Sequence, residues 1–172
     1  MSINPCELGS IPEETARIAH AACRKGTLAM HLRDALEELC RDEHFADLDP
    51  VEEETTYALW RLTLVTVLQY IEDLTDHQAV EATVGRIDWK YALGLELTDL
   101  GFDITLLPAF RARLLERPAE CQLLERLMEV CKQRRWLGRK YRQSIDAVHV
   151  LAKVGSLPNQ SSGGGWTEMG FA

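Results

Sequence analysis

The segment "KQRRWLGRKYRQSIDAVHVLAKV", residues 132–154, holds the side chains best suited to chemistry on an anionic polymer. Lys132, Arg134, Arg135, Arg139, Lys140 and Arg142 place six cations in eleven residues, with Trp136 and Tyr141 interleaved. Such cations release counterions from a nucleic-acid backbone, and rings among them can stack or pack. A helix C-terminus also favours basic residues through its dipole, but six exceed what a helix end requires, so an anionic partner is expected. Shortly after Arg142, Asp146 stands in an apolar, largely β-branched run. By composition, "SIDAVHVLAKV" reads as a β-strand. Strict alternation puts Asp146, Val148 and Val150 on one face, and Ile145, Ala147, His149 and Leu151 on the other. A carboxylate on a buried strand carries a desolvation cost unless it meets a cation or a metal. Asp146 is therefore a candidate metal ligand, although one carboxylate cannot hold a catalytic Mg²⁺ unaided, and an exposed edge-strand aspartate accounts for it equally well.

Two other constellations bear on function. His20, Cys23, Cys40 and His44 follow a zinc-like H-x2-C-x16-C-x3-H spacing. Both pairs, however, fall within or at the ends of helix-like segments with no turn between the paired ligands, so buried cysteines and exposed histidines are expected instead. Further on, "LLPAFRARLLER" brings Arg111, Arg113 and Arg117 near one another on a helix, with Phe110 and Leu114 turned inward. Such a helix can enter a major groove, its arginines reaching phosphates or guanine edges. The plainer alternative is that these arginines solvate an outer face.

The elements that must position these residues are mostly helical. "IPEETARIAHAACRKG" has Pro12 at a plausible first helical position, early acids, late bases and Gly26 beyond its end. In "TLAMHLRDALEELC", Thr27 caps a helix whose Leu28, Leu32, Leu36 and Leu39 form one stripe. Residues 41–58 are acidic, contain Pro50 and read as a solvated loop. "LWRLTLVTVLQYIEDL" is apolar nearly all round, and Leu59, Leu62, Val65, Leu68 and Ile71 at helical spacing make it the central buried helix. Thr75 caps a helix that Gly85 ends, a short helix closes near Gly94, Thr105 caps another, and Pro118 forces a stop. Three short helices joined by tight turns have the size and punctuation of a helix-turn-helix unit. The expected fold is mainly α, a helical bundle with that unit, followed by one orphan strand and a disordered tail.

A chain of 172 residues, 46% hydrophobic, can bury one solid core and a short appendage. No stretch of about 18 uncharged apolar residues exists and "MSINPCELGS" has no signal-peptide character, so no membrane association and a cytoplasmic location are expected. Five scattered cysteines suit reduced thiols better than a disulfide framework. Residues 1–60 hold thirteen acids and five bases, whereas 61–172 hold fourteen of each, so any nucleic-acid surface is expected after the first third.

Residues 11 to about 154 resemble the N-terminal part of bacterial insertion-sequence transposases of the DDE class with an InsH-type N-terminal domain. The stretches that carry the resemblance are "IPEETARIA", "LRDALEELCRDEHFADLDP", "WRLTLVTVLQYIEDLTDHQAVEATVGRIDWKYALGLELTDLGFD", "FRARLLER" and "IDAVHVLAKV". The resemblance implies a helical domain that helps bind terminal inverted repeats, followed by a ribonuclease-H-like domain in which three acids hold two Mg²⁺ or Mn²⁺ ions. Asp146 matches the first acid of that triad, in a motif resembling Thr-Asp-Ser-Thr-His-Val, while Ala147 and Val148 replace its hydroxyl residues. After Gly155, "GSLPNQSSGGGWTEMGFA" has no apolar period and one acid, Glu168, so the second aspartate and the glutamate have no counterpart.

The expectation is thus a truncated transposase fragment: nucleoid-associated, with no cofactor of its own, no catalysis by itself, and contacts to DNA through Arg111, Arg113, Arg117 and the basic run. Its expected parts are a helical pair with the acidic loop (1–58), a helical core (59–131), a basic linker with the first strand of an incomplete catalytic domain (132–154), and a disordered tail (155–172). The alternative is an acidic helical interaction module that pairs with a full-length transposase, or with its own copy, without touching DNA.

Overall fold

The computed structural model describes residues 2–3, 8–41, 51–52, 58–138 and 146–157. Among them the chain is mainly helical, as the periodicity predicts: α1 Glu13–Ala22, α2 Leu28–Arg41, α3 Leu59–Glu72, α4 Asp76–Gly85, α5 Ile87–Leu93, α6 Leu106–Glu116, α7 Gln122–Gln133 and α8 Ala147–Ser156. A 3₁₀ turn over Pro118–Cys121 links α6 to α7. The sequence gives no sign of one small feature. Strand β1, Ser2–Ile3, pairs antiparallel with β2, Val51–Glu52, so part of the span read as loop is tied to the chain's start.

The centre is α3, in which every residue from Leu62 to Tyr70 is buried. Its β-branched content also suits a strand, and two threonines show how the helix accommodates it. Thr63 and Thr66 donate their hydroxyls to the carbonyls of Leu59 and Leu62, one turn back, at 2.9 and 2.8 Å. Neither buried hydroxyl is left without an acceptor. Helices α2, α4, α5, α6, α7 and α8 all pack against α3, and α5 lies against α1 and α2.

Local signals set most helix ends. Thr75 and Gln78 form a reciprocal capping box at the start of α4, at 3.2 and 3.0 Å. Gly94, at φ +63°, closes α5 in the left-handed conformation that suits glycine. Pro12 is the N-cap of α1, one position earlier than expected, and Pro108 occupies the first turn of α6. Thr105 stands at the N-cap of α6 but makes no side-chain cap; it bonds Asp103 instead.

The strand expected over 144–154 is corrected by the structure. From Ala147 to Ser156 the chain is helical, with Asp146 as its N-cap, so the helix runs into the span assigned to the tail. The physical reason is periodicity. Ala147, Val150, Leu151 and Val154 recur at helical spacing and are buried against α3 and α6, while Val148 is 61% exposed. A ten-residue helix is marginal alone in water, but each buried Val or Leu contributes about 1.5–3 kcal/mol. Tertiary burial therefore overrides β-propensity here. The remainder of the expected tail, 158–172, and residues 42–50 and 53–57 of the acidic loop lie outside the described residues.

Among the described residues no helix is long and apolar enough to cross a membrane. Cys23, Cys121 and Cys131 are free thiols, whereas Cys40 is disulfide-bonded, which corrects the expectation of five reduced cysteines.

Candidate nucleic-acid interface

Two buried polar networks lock the helices that carry the candidate residues. Arg33 falls in phase with the buried face of α2, beside Ala29, Leu32 and Leu36, and is itself wholly buried. Its guanidinium donates to the carbonyls of Ala92 (3.2 Å) and Gly9 (3.0 Å) and to Glu37 (3.0 Å). Arg61 donates to the carbonyls of Leu93 and Gly94 at 2.8 and 3.4 Å. Trp60 contacts both guanidinium groups, at 5.0 and 5.1 Å from its ring. Two arginines thus satisfy the last carbonyls of α5 and meet the negative end of its dipole.

The second network spans α3, the α4–α5 junction and the α1–α2 turn. Arg86 binds Glu72 at 2.6 and 3.2 Å and Asp88 at 2.9 Å, and Asp88 accepts a 3.0 Å bond from the Thr27 hydroxyl. Burial alone lowers the Arg86 pKa, but hydrogen bonds and charge from Glu72 and Asp88 outweigh it and hold the pKa raised. Sequence alone marks Thr27 and Gly94 as helix-end residues and does not single out Arg33, Arg61 or Arg86. The available signal was phase, since Arg33 sits where the apolar stripe demands a Leu or Ala.

The expected groove-reading helix is α6, and the structure turns two of its three arginines inward. Arg111 is 8% exposed and makes a bidentate pair with Asp76 at 2.7 and 2.8 Å. Asp76 is held in turn by Gln69 at 2.9 Å. Arg113 binds Glu120 at 2.8 and 3.3 Å, and Arg117 reaches the same carboxylate at 3.5 Å while its side chain stays 45% exposed. Through these pairs Arg111 fastens α6 to α4, and Arg113 fastens it to the 3₁₀ turn. Buried in this pair, the Arg111 guanidinium is not presented to a phosphate or a guanine edge.

The basic run fares differently. Lys132, Arg134 and Arg135 are exposed at the end of α7, and Trp136 beside them is half-buried. The backbone there forms a Schellman closure: Trp136 N–H donates to Cys131 O at 3.0 Å, Arg135 N–H to Lys132 O at 3.2 Å, and Arg135 has φ +57°. The closure wraps the cations around the helix end. Arg134 lies 5.3 Å from the Trp136 ring and binds Glu38 of α2 at 2.8 Å. The Trp136 ring also stacks on His31, with centroids 6.3 Å apart and planes 22° apart. With His31 and Arg134 against it, Trp136 serves as an anchor rather than an open platform for a base. Arg139, Lys140, Tyr141 and Arg142 lie outside the described residues.

Asp146 is exposed and accepts a 2.7 Å bond from the His149 N–H, which makes it a helix cap. Among the described residues no group of three or more His, Cys, Asp or Glu side chains is placed to share a metal ion. The described residues therefore do not by themselves make a Mg²⁺ or Mn²⁺ centre around Asp146. The zinc-like spacing fares no better. Cys40 is committed to a disulfide, His20 packs edge-on against Tyr91 at 5.2 Å, and His44 lies outside the described residues.

A model of the transposase domain family DUF772 matches residues 20–113, from the last turn of α1 into α6. The match takes in more than half of the chain, and the chain belongs to that family. Both buried networks fall within the matched span except for Gly9. No curated protein and no solved structure matches the chain.

Proposed function

We propose that this chain is the DNA-binding part of an insertion-sequence transposase, contacting the element's terminal inverted repeats without carrying out phosphoryl transfer by itself. The observation that carries this reading is the transposase-domain match over residues 20–113. The exposed cations Lys132, Arg134 and Arg135 on a rigid helix end support it, because phosphate contacts supply most of the affinity for a duplex. In sequence the charge continues through Arg139, Lys140 and Arg142. Support for a non-catalytic role comes from Asp146, whose carboxylate caps α8 and, among the described residues, belongs to no group of three or more side chains that could hold a metal ion.

Fluorescence anisotropy with labelled duplexes tests the proposal. Expected is binding that weakens steeply with salt and prefers element-end repeats over random sequence. Equal affinity for both would remove the repeat-binding claim. Strand scission by the purified chain in Mg²⁺ or Mn²⁺, lost on Asp146→Asn, would overturn the non-catalytic assignment.

A further inference from the structure

The exposed cations at the end of α7 have neighbours on a part of the chain where the overall acidic balance gives no reason to look. The α1–α2 turn carries Arg24 and Lys25, both exposed and neither in an ion pair among the described residues. It ends at Gly26, whose φ is +72°. A Cβ built on Gly26 would stand 2.8 Å from the His31 Cε1 atom, so the imidazole lies flush against the turn. The other side of the connection is the His31–Trp136 stack, and Trp136 is the residue that follows Arg134 and Arg135. Turn, imidazole, indole and helix end are thus in continuous contact.

Arg135 supplies a second, independent observation. Its position in the Schellman closure is the one that glycine fills most often, because a side chain at positive φ is strained. An arginine standing there at a cost in stability is a reason to look for function at that side chain. Glu38 pairs with Arg134, and Arg24, Lys25, Lys132 and Arg135 make no ion pair among the described residues.

We infer that Arg24 and Lys25 of the α1–α2 turn and Lys132 and Arg135 of the α7 end form one phosphate-binding face for duplex DNA, held together by the His31–Trp136 stack. The inference rests on the DNA-binding reading above and gives that reading a surface. Duplex is favoured over single strand because the indole already packs against His31 and Arg134 and offers no platform for an unstacked base. The face contacts backbone, so it contributes affinity and orientation rather than sequence preference.

The test uses the full chain and a random-sequence duplex of about 30 base pairs, with anisotropy measured across a salt series. Arg24→Ala/Lys25→Ala is expected to weaken binding on the order of tenfold at low salt, and to reduce the salt slope by about 2. Arg135→Gly is expected to weaken binding several-fold while raising the melting temperature, which separates lost contact from lost folding. Arg126→Ala, which removes an exposed charge paired with Glu129 elsewhere on α7, is the control and should change affinity less than twofold. If Arg135→Gly weakens binding but the double variant binds like the parent, the turn is not part of the face and only the DNA-binding reading survives. Tighter binding to the single strand than to the duplex would overturn the choice of ligand. Absence of duplex binding by the parent chain would remove both.

Discussion

Arg111 and Asp76 meet in the interior at 2.7 and 2.8 Å, and the two charges are exposed so little that water contributes almost nothing to either. Removing one partner leaves the other's charge buried without its bidentate counter-ion. Arg111→Met is therefore expected to cost about 3–5 kcal/mol in urea unfolding, and Arg111→Met/Asp76→Leu to recover most of that loss. Gly26 is the other residue on which a local conformation turns. Gly26→Ala meets both a left-handed φ and the His31 imidazole, so a loss of about 1–2 kcal/mol is expected, with the His31–Trp136 stack displaced in the indole fluorescence. The thiols differ in a way that labelling can read. Burial pushes Cys131 up to about 12 and raises Cys121, whereas Cys23 is only half-buried. Because the thiolate is the reactive form, an alkylating reagent at pH 8 should modify Cys23 in the native protein and the other two only on unfolding.

At the scale of elements, α8 is the instructive case. Its apolar residues 147, 150, 151 and 154 are as consistent with helical spacing as with a strand's composition, and only the length of the run and the Asp146 cap distinguish the two. Asp146→Ala removes the acceptor for the His149 N–H and is expected to destabilise α8 by about 1 kcal/mol, read as faster amide exchange over 147–154. Slow exchange unchanged by the substitution would show that packing alone holds the helix. A similar division explains α6. Its length and its stop at Pro118 were legible from propensity and punctuation, but the direction of its arginines was not, because Asp76 and Glu120, their partners, are distant in sequence or on the next element. Spacing tells which side chains share a face; it does not tell which face meets a carboxylate.

For the whole molecule, alkaline pH is the informative axis. Burial first, and then the Asp34 carboxylate, raise the Tyr91 phenol to about 12, and Cys131 stands at about 12 through burial. Unfolding returns both to their ordinary values, near 10 and 9. The stability they contribute is fully present below about pH 9 and is lost as pH rises toward 12, since the unfolded chain ionises first. A denaturation midpoint that stays level to pH 9 and then falls is the expected result, with Tyr91→Phe flattening the upper part of the fall. The chain by itself determined its helical class, the central place of α3, the caps at Thr75 and Gly94 and the basic run after Lys132, because periodicity, capping chemistry and charge are local properties. Only the tertiary structure decided that 147–156 is a helix, that Arg33, Arg61, Arg86 and Arg111 brace one element against another, and that the α1–α2 turn meets the α7 end through His31 and Trp136. Those outcomes depend on which distant groups come within hydrogen-bonding or packing distance, and where a charge is buried, its partner offsets the cost of desolvation.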